Sequence, residues 1–174
     1  MNSPPILTQD CAGWARAAGY VCDNDVLSSS TVLRPEVGDL TRYLIRWNGS
    51  RIELAQEVED ERRVVLFAAN QLVLERYLYG LFGDDIRDGV QLPYLELPWT
   101  ANQVASDFEV SEFDGRYRIL RHLGEGPVAA APDETFSLVA LVPLSHFLSH
   151  SVADLKRAFL AEDGAPLLAH GRYA

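Results

Sequence analysis

At 174 residues, with 48 % hydrophobic and 23 % charged residues, the chain has the composition of one ordinary globular domain, which excludes a disordered or fibrous class. A formal charge of −10 argues against nucleic acid, because phosphates are repelled unless basic residues are concentrated locally, and no such concentration is visible. Two cysteines are too few for a four-thiolate metal site, and the longest apolar region, 136–148, is interrupted by Ser137, Pro143, Ser145 and His146 and is shorter than the ~20 residues of a bilayer span.

In chain order, Thr8 can cap a helix running to Ala18, with Cys11, Trp14, Ala15 and Ala18 on one apolar stripe and Gly19 as a left-handed stop. Cys11 on that stripe is expected to be a small buried hydrophobe, and a disulfide to Cys22 is unneeded. No charged-then-apolar leader precedes Arg16, so a soluble protein in a reducing cytoplasm is expected. Leu40–Trp47 alternates, and Asn48-Gly49 predicts a hairpin joining it to Arg51–Gln56. The run Glu57, Glu59, Asp60, Glu61, Arg62 and Arg63 reads as a compact charged loop, followed by a strand over Val64–Ala69.

Asn70 can cap a helix whose stripe is Leu74, Tyr77, Leu78, Leu81 and Phe82 and which Gly83 can end. Asp84, Asp85, Arg87 and Asp88 then crowd into a short turn before Leu92-Pro93-Tyr94 opens an extended strand, Leu92–Leu97. A second hairpin joins Phe108–Phe113 to Arg116–Leu120 through Asp114-Gly115, and Phe136–Val142 reads as a further strand. Ser151 caps the last helix, with Leu148, Val152, Leu155 and Phe159 on its buried face. These elements predict a single α+β domain over residues 1–174: a mostly antiparallel curved sheet or two-sheet layer, with about three helices packed on one side and at the ends.

Catalytic and metal-binding constellations are weak. His146, His150 and Asp154 are spaced four apart as on one helix face, but the Ser151 cap interrupts that helix and no third strong ligand is supplied. Ser145, Ser149 and Ser151 lack the elbow motif of a serine hydrolase, and Gly124-Glu125-Gly126-Pro127 reads as a turn rather than a phosphate loop. His122 and His170 stand alone in polar surroundings. No catalytic residue, metal or cofactor is expected.

Protein recognition is better supported. On one strand Arg42 and Arg46 point to one face and Tyr43 and Trp47 to the other, and arginine, tryptophan and tyrosine are the residues enriched at interface hot spots. If the aromatic face is core, the arginines form an outward charged ladder with Arg51 and Glu53. The residues expected to bind a partner are Arg42, Arg46, Arg51, Glu57, Asp60, Glu61 and Arg62.

The segments LERYLYGLFGDDIRDGVQLPYLELP (Leu74 to Pro98), LVPLSHFLSHSVADLKRAF (Leu141 to Phe159) and DGAPLL (Asp163 to Leu168) carry a resemblance, together with the helix around Trp14 and the pair Gly19-Tyr20. They resemble the actinobacterial immunity proteins related to the immunity factor of the tuberculosis necrotizing toxin, whose toxin family consists of NAD(P) glycohydrolases. The resemblance implies a non-enzymatic cytoplasmic antitoxin that binds one such toxin domain, one to one, and blocks its active site. An acidic secretion or folding chaperone for an exported protein is the alternative that composition leaves open.

Overall fold

The computed structural model describes residues 3–38 and 41–174. The chain runs α1 (Gln9–Ala17), β1 (Tyr20–Asp25), β2 (Ser30–Pro35), β3 (Arg42–Asn48), β4 (Arg51–Val58), β5 (Glu61–Ala68) and α2 (Gln71–Gly89). It continues with β6 (Phe108–Val110), β7 (Tyr117–His122), β8 (Gly126–Pro132), α3 (Phe136–Ser149), α4 (Val152–Leu160), β9 (Leu168–Ala169) and β10 (Arg172–Tyr173). Among the described residues, eight strands form one antiparallel sheet in the order β1-β2-β3-β4-β5-β8-β7-β6, and β9 pairs with β10 in a small separate ribbon. The fold is α+β as expected; of the two sheet arrangements anticipated it has the single large sheet, with four α-helices among the described residues where about three were expected.

One row of register partners shows how the sheet faces the core. Ile52, Ala68, Ala129 and Leu120 are successive partners on one face, and each is nearly or fully buried. With Leu33, Tyr43, Ile45, Leu54 and Leu66 they meet Leu74, Leu78 and Phe82 of α2 in a single core. Phe82 lies 4.8 Å from the Tyr20 ring and edge-on to Tyr43 at 6.2 Å, the tilted geometries aromatic quadrupoles favour. Helices α2 and α3 pack on this face, while α4 stacks on α2, so that among the described residues the opposite face of the sheet carries no helix.

The first helix and the Asn48-Gly49 hairpin form as expected. Thr8 Oγ1 accepts from the Cys11 N–H at 3.2 Å, and Gly19 takes a φ of 86°. Leu40, the expected first residue of the following strand, lies outside the described residues. The hairpin β1–β2 was not expected, because its Ser- and Asp-rich sequence offers no apolar alternation at this sheet edge. Strand β8 was also missed; alanines at 129 and 131 provide the small buried surface that α3 needs, but alanine is a poor strand signal.

Three expectations are corrected. Gly83 does not end α2, which runs on to Gly89, and Asp84, Asp85, Arg87 and Asp88 belong to its last turns instead of a loop. The helix continues because Gly80 and Gly83 let the rings of Phe147 and Phe159 approach, a gain from close packing that glycine's low propensity does not outweigh. Phe136–Val142 is helical, not a strand: residues 136–149 form α3, started by Asp133, whose carboxylate accepts the Thr135 and Phe136 N–H groups at 2.9 and 3.0 Å. Its apolar residues run without a polar break over 138–144, with Phe136 and Val139 exposed and 140–145 buried on every side, so no period separates helix from strand.

The third correction concerns Leu92–Leu97. This segment joins no sheet among the described residues, since Pro93 and Pro98 lack the N–H donors a ladder needs. Their carbonyls instead accept from the Arg87 guanidinium and from the Tyr173 hydroxyl, at 3.0 and 2.7 Å.

Candidate interaction surface

The helix-free face is built by strand alternation. Tyr43 and Ile45 turn into the core, so Arg42, Leu44 and Arg46 project from the other side of β3. Trp47 follows the core phase, but at the end of its strand beside the Asn48-Gly49 turn it remains 41 % exposed. Register then pairs Arg42 with Glu57 and Arg46 with Glu53 across β3 and β4. Arg42 and Glu57 form an ion pair, and Arg46 donates to Glu53 Oε1 from Nε at 3.0 Å, with its Nη2 in ion-pair contact with the same oxygen at 2.9 Å.

Glu53 has two more donors. Arg62 Nη2 reaches the same Oε1 at 2.7 Å, and Asn48 Nδ2 reaches Oε2 at 2.8 Å. These neighbours leave the residue 2 % exposed on a face that no helix covers. Burial by itself raises the Glu53 carboxyl, but the Asn48 hydrogen bond and the Arg46 and Arg62 charges reverse that and hold it below the usual carboxylate range.

The expected partner-binding residues therefore fall into two groups. Arg42, Arg46, Arg51, Glu57 and Arg62 share the helix-free face, with Arg51 exposed and in no ion pair among the described residues. Asp60 and Glu61 stand exposed at the tip of the β4–β5 hairpin. The charged segment is not an open loop, because Glu59 and Asp60, at φ 49° and 69°, close a two-residue turn and leave Glu57, Glu61 and Arg62 inside strands. Arg63 points the other way, donating to Gln56 and lying 5.4 Å from the Phe136 ring centre. Sequence reasoning placed Glu53 in the ladder without making it a site residue, since burial of a carboxylate by its own arginines is visible only in register.

The histidine and serine constellations have structural partners. His146 stacks on Tyr173 with ring centres 3.4 Å apart, and its Nε2 bonds the Gln103 carbonyl at 2.7 Å. Burial draws its pKa below the ordinary histidine value, against the Gln103 contact. His150 bonds the His146 carbonyl, and Asp154 lies beyond a 119° bend between α3 and α4, so the three residues do not share one helix face. Among the described residues no group of three or more His, Cys, Asp or Glu could hold a metal ion. Ser145 is fully buried, donating to the Val142 carbonyl at 2.6 Å and accepting from the Ala105 N–H at 2.9 Å. Cys11 is buried, with its thiol pushed up by desolvation, and Cys22 is exposed; both are free.

The eight-stranded sheet thus carries helices on one face and a charged ladder on the other. The model of the family described as immunity protein 61 matches residues 14–167, from the middle of α1 through the whole sheet and all later helices. The chain belongs to the immunity protein 61 family.

Two relatives agree with that membership: the Immunity factor for TNT of Mycobacterium tuberculosis and the Immunity factor for TNT homolog of Mycobacterium bovis. Each is 28 % identical over 167 residues, covering 92 % of both chains. Among solved structures, Rv3902c from M. tuberculosis superposes with a TM-score of 0.80 at 27 % identity, again over 92 % of both chains. This immunity protein is not an enzyme, and Ser145, His146 and His150 serve its packing.

Proposed function

We propose that this immunity protein binds an NAD(P)-hydrolysing toxin domain of the TNT class, one to one and in the cytoplasm, and blocks dinucleotide access to the toxin's active site. The observation that carries this reading is the match to the Immunity factor for TNT over 92 % of both chains, which spans the entire scaffold and not one local motif. Inhibition by occupancy needs a rigid surface of sufficient area and no catalytic group. Eight strands spaced about 4.8 Å apart, all but the short β6 roughly 20 Å or more in length, present a face on the order of 700 Å². A standard interface buries about 800 Å² per partner, so this face with its hairpin tips is large enough. Its arginine–carboxylate ladder supports the same reading, because exposed charges on a fixed register govern association rate and specificity.

The test is a titration of this protein into a TNT-class NAD(P)-hydrolysing toxin domain, with NAD+ consumption as the readout. Loss of activity complete at one equivalent is expected. Full hydrolysis in the presence of excess protein would overturn the reading, and binding of an unfolded exported client without inhibition would favour a chaperone.

A further inference from the structure

One row of register partners crosses the middle of the helix-free face: Arg46, Glu53, Phe67, Ala130 and Ile119, from β3 to β7. Its first half is charged and its second half apolar. In the charged half, two guanidinium groups meet one carboxylate, giving a local charge of +1 on a chain whose total is −10. Glu53 is 2 % exposed, whereas the side chains of Arg46 and Arg62 keep 41 % and 33 % of their surface in solvent. A guanidinium has five N–H donors. Hydrogen bonds to Glu53 use the donors on Nε of Arg46 and on Nη2 of Arg62, with Arg46 Nη2 in ion-pair contact with the same carboxylate oxygen. In the apolar half, Phe67, Ile119, Val128 and Ala130, with Arg51 at the rim, line a depression of about 290 Å³.

We infer that the Arg46–Glu53–Arg62 triad is a preformed receptor for an acidic side chain of the toxin domain, and that the adjoining depression takes an apolar side chain of the same toxin segment. The inference rests on the proposed toxin-binding function. Arginine is favoured here because its planar fork matches a carboxylate. Two free arginines would lose rotamer freedom on binding, but the Glu53 carboxylate already holds both, so that cost is met in folding. Glu53 is thus a positioning residue that touches no partner itself. The row also sets a distance: β3 and β5 are two strands apart, so the toxin's carboxylate and apolar group should sit roughly 10 Å from each other. A net charge of +1, with Glu53 already counted and Glu57 paired to Arg42 beside it, suits one carboxylate and disfavours a doubly charged phosphate.

The experiment measures binding kinetics between the full chain and a catalytically silent form of a TNT-class NAD(P)-hydrolysing toxin domain. Wild-type binding comes first, since its absence would overturn the toxin-binding reading and this inference with it. Given binding, Arg46→Ala and Arg62→Ala should each weaken affinity about tenfold or more. Glu53→Gln should raise the dissociation rate while leaving the association rate unchanged or faster, because the arginines lose their anchor but the face gains positive charge. A variant that merely unfolded would lower the active fraction without altering the dissociation rate. Should Glu53→Gln fail to fold, Arg46→Lys and Arg62→Lys keep the charge but not the fork, and should still weaken binding. Neutralising the toxin's exposed carboxylates singly should reveal at least one that couples to Arg46 or Arg62, the double change being no worse than the single. Undiminished binding by a folded Arg46→Ala, Arg62→Ala double variant would overturn the inference, as would an absence of coupling to every carboxylate. Tight binding of NAD+ or inorganic phosphate alone that depends on Arg46 and Arg62 would also overturn it, in favour of a small-anion site.

Discussion

Gly83 on α2 lies directly under the ring of Phe159 on α4: a methyl group added to Gly83 would stand 2.4 Å from the ring's Cγ. In an isolated helix, glycine to alanine gains about 1 kcal/mol. Here the new carbon has no room, and both Gly83 and Phe159 are buried. Gly83→Ala should therefore destabilise the protein by roughly 1–3 kcal/mol net. Urea denaturation decides the sign, and a rise in the midpoint would show that α4 can move away.

Arg87 ties the end of α2 to two later segments. Its guanidinium, 1 % exposed, donates to the carbonyls of Pro93, Phe159, Ala161 and Glu162. A lysine has the charge but cannot span four carbonyls with one ammonium. Arg87→Lys should cost about 2–4 kcal/mol, since buried acceptors lose charge-assisted bonds. Hydrogen exchange should locate the loosening at residues 92–98 and 159–162.

Asp84 makes stability depend on pH. Burial pushes its carboxyl from 3.8 up to about 6, with the Asp85 charge adding to the rise and Arg87 opposing it, and Oδ1 has no hydrogen-bond partner among the described residues. The unfolded chain releases this proton near pH 4. Between about pH 4 and 6 the folded chain thus holds more protons than the unfolded one, so this group makes stability fall as pH rises through that window. Asp84→Asn should match the wild type near pH 4 and exceed it near pH 7 by up to about 3 kcal/mol. Denaturation series at both pH values test the difference; an equal effect at both would refute the assigned origin.

Leu78 and Phe82 are fully buried on the α2 stripe. Leu78→Ala and Phe82→Ala should each cost roughly 2–5 kcal/mol, with Phe82 toward the upper end because it also loses its contacts with Tyr20 and Tyr43. Calorimetry is the check, and toxin inhibition should persist wherever the variants remain folded.

A variant carrying Arg46→Ala, Asp60→Ala and Glu61→Ala should remain folded, because Glu53 keeps Arg62 and Asn48 and the other two side chains are exposed. It should inhibit the toxin less effectively than wild type at one equivalent. Unchanged inhibition would place the interface on another side of the protein.

The α+β class, the Thr8, Asn70 and Ser151 caps and the Asn48-Gly49 hairpin were legible in the sequence because each depends on residues within a few positions of one another. So was the outward ladder of Arg42 and Arg46, which follows from the two-residue period of a strand. The path of α2 through Gly83, the helical state of 136–149 and the irregular course of 92–99 were not. Phe159 is 76 positions from Gly83, and local propensity carries no trace of a ring that distant. The same holds for Glu53: its residue type and strand phase come from the sequence, but its burial beneath Arg46 and Arg62 arises only when three strands align. Short-range geometry made the elements and the charge pattern readable, whereas desolvation and close packing depend on partners remote in the chain and were decided by the tertiary structure.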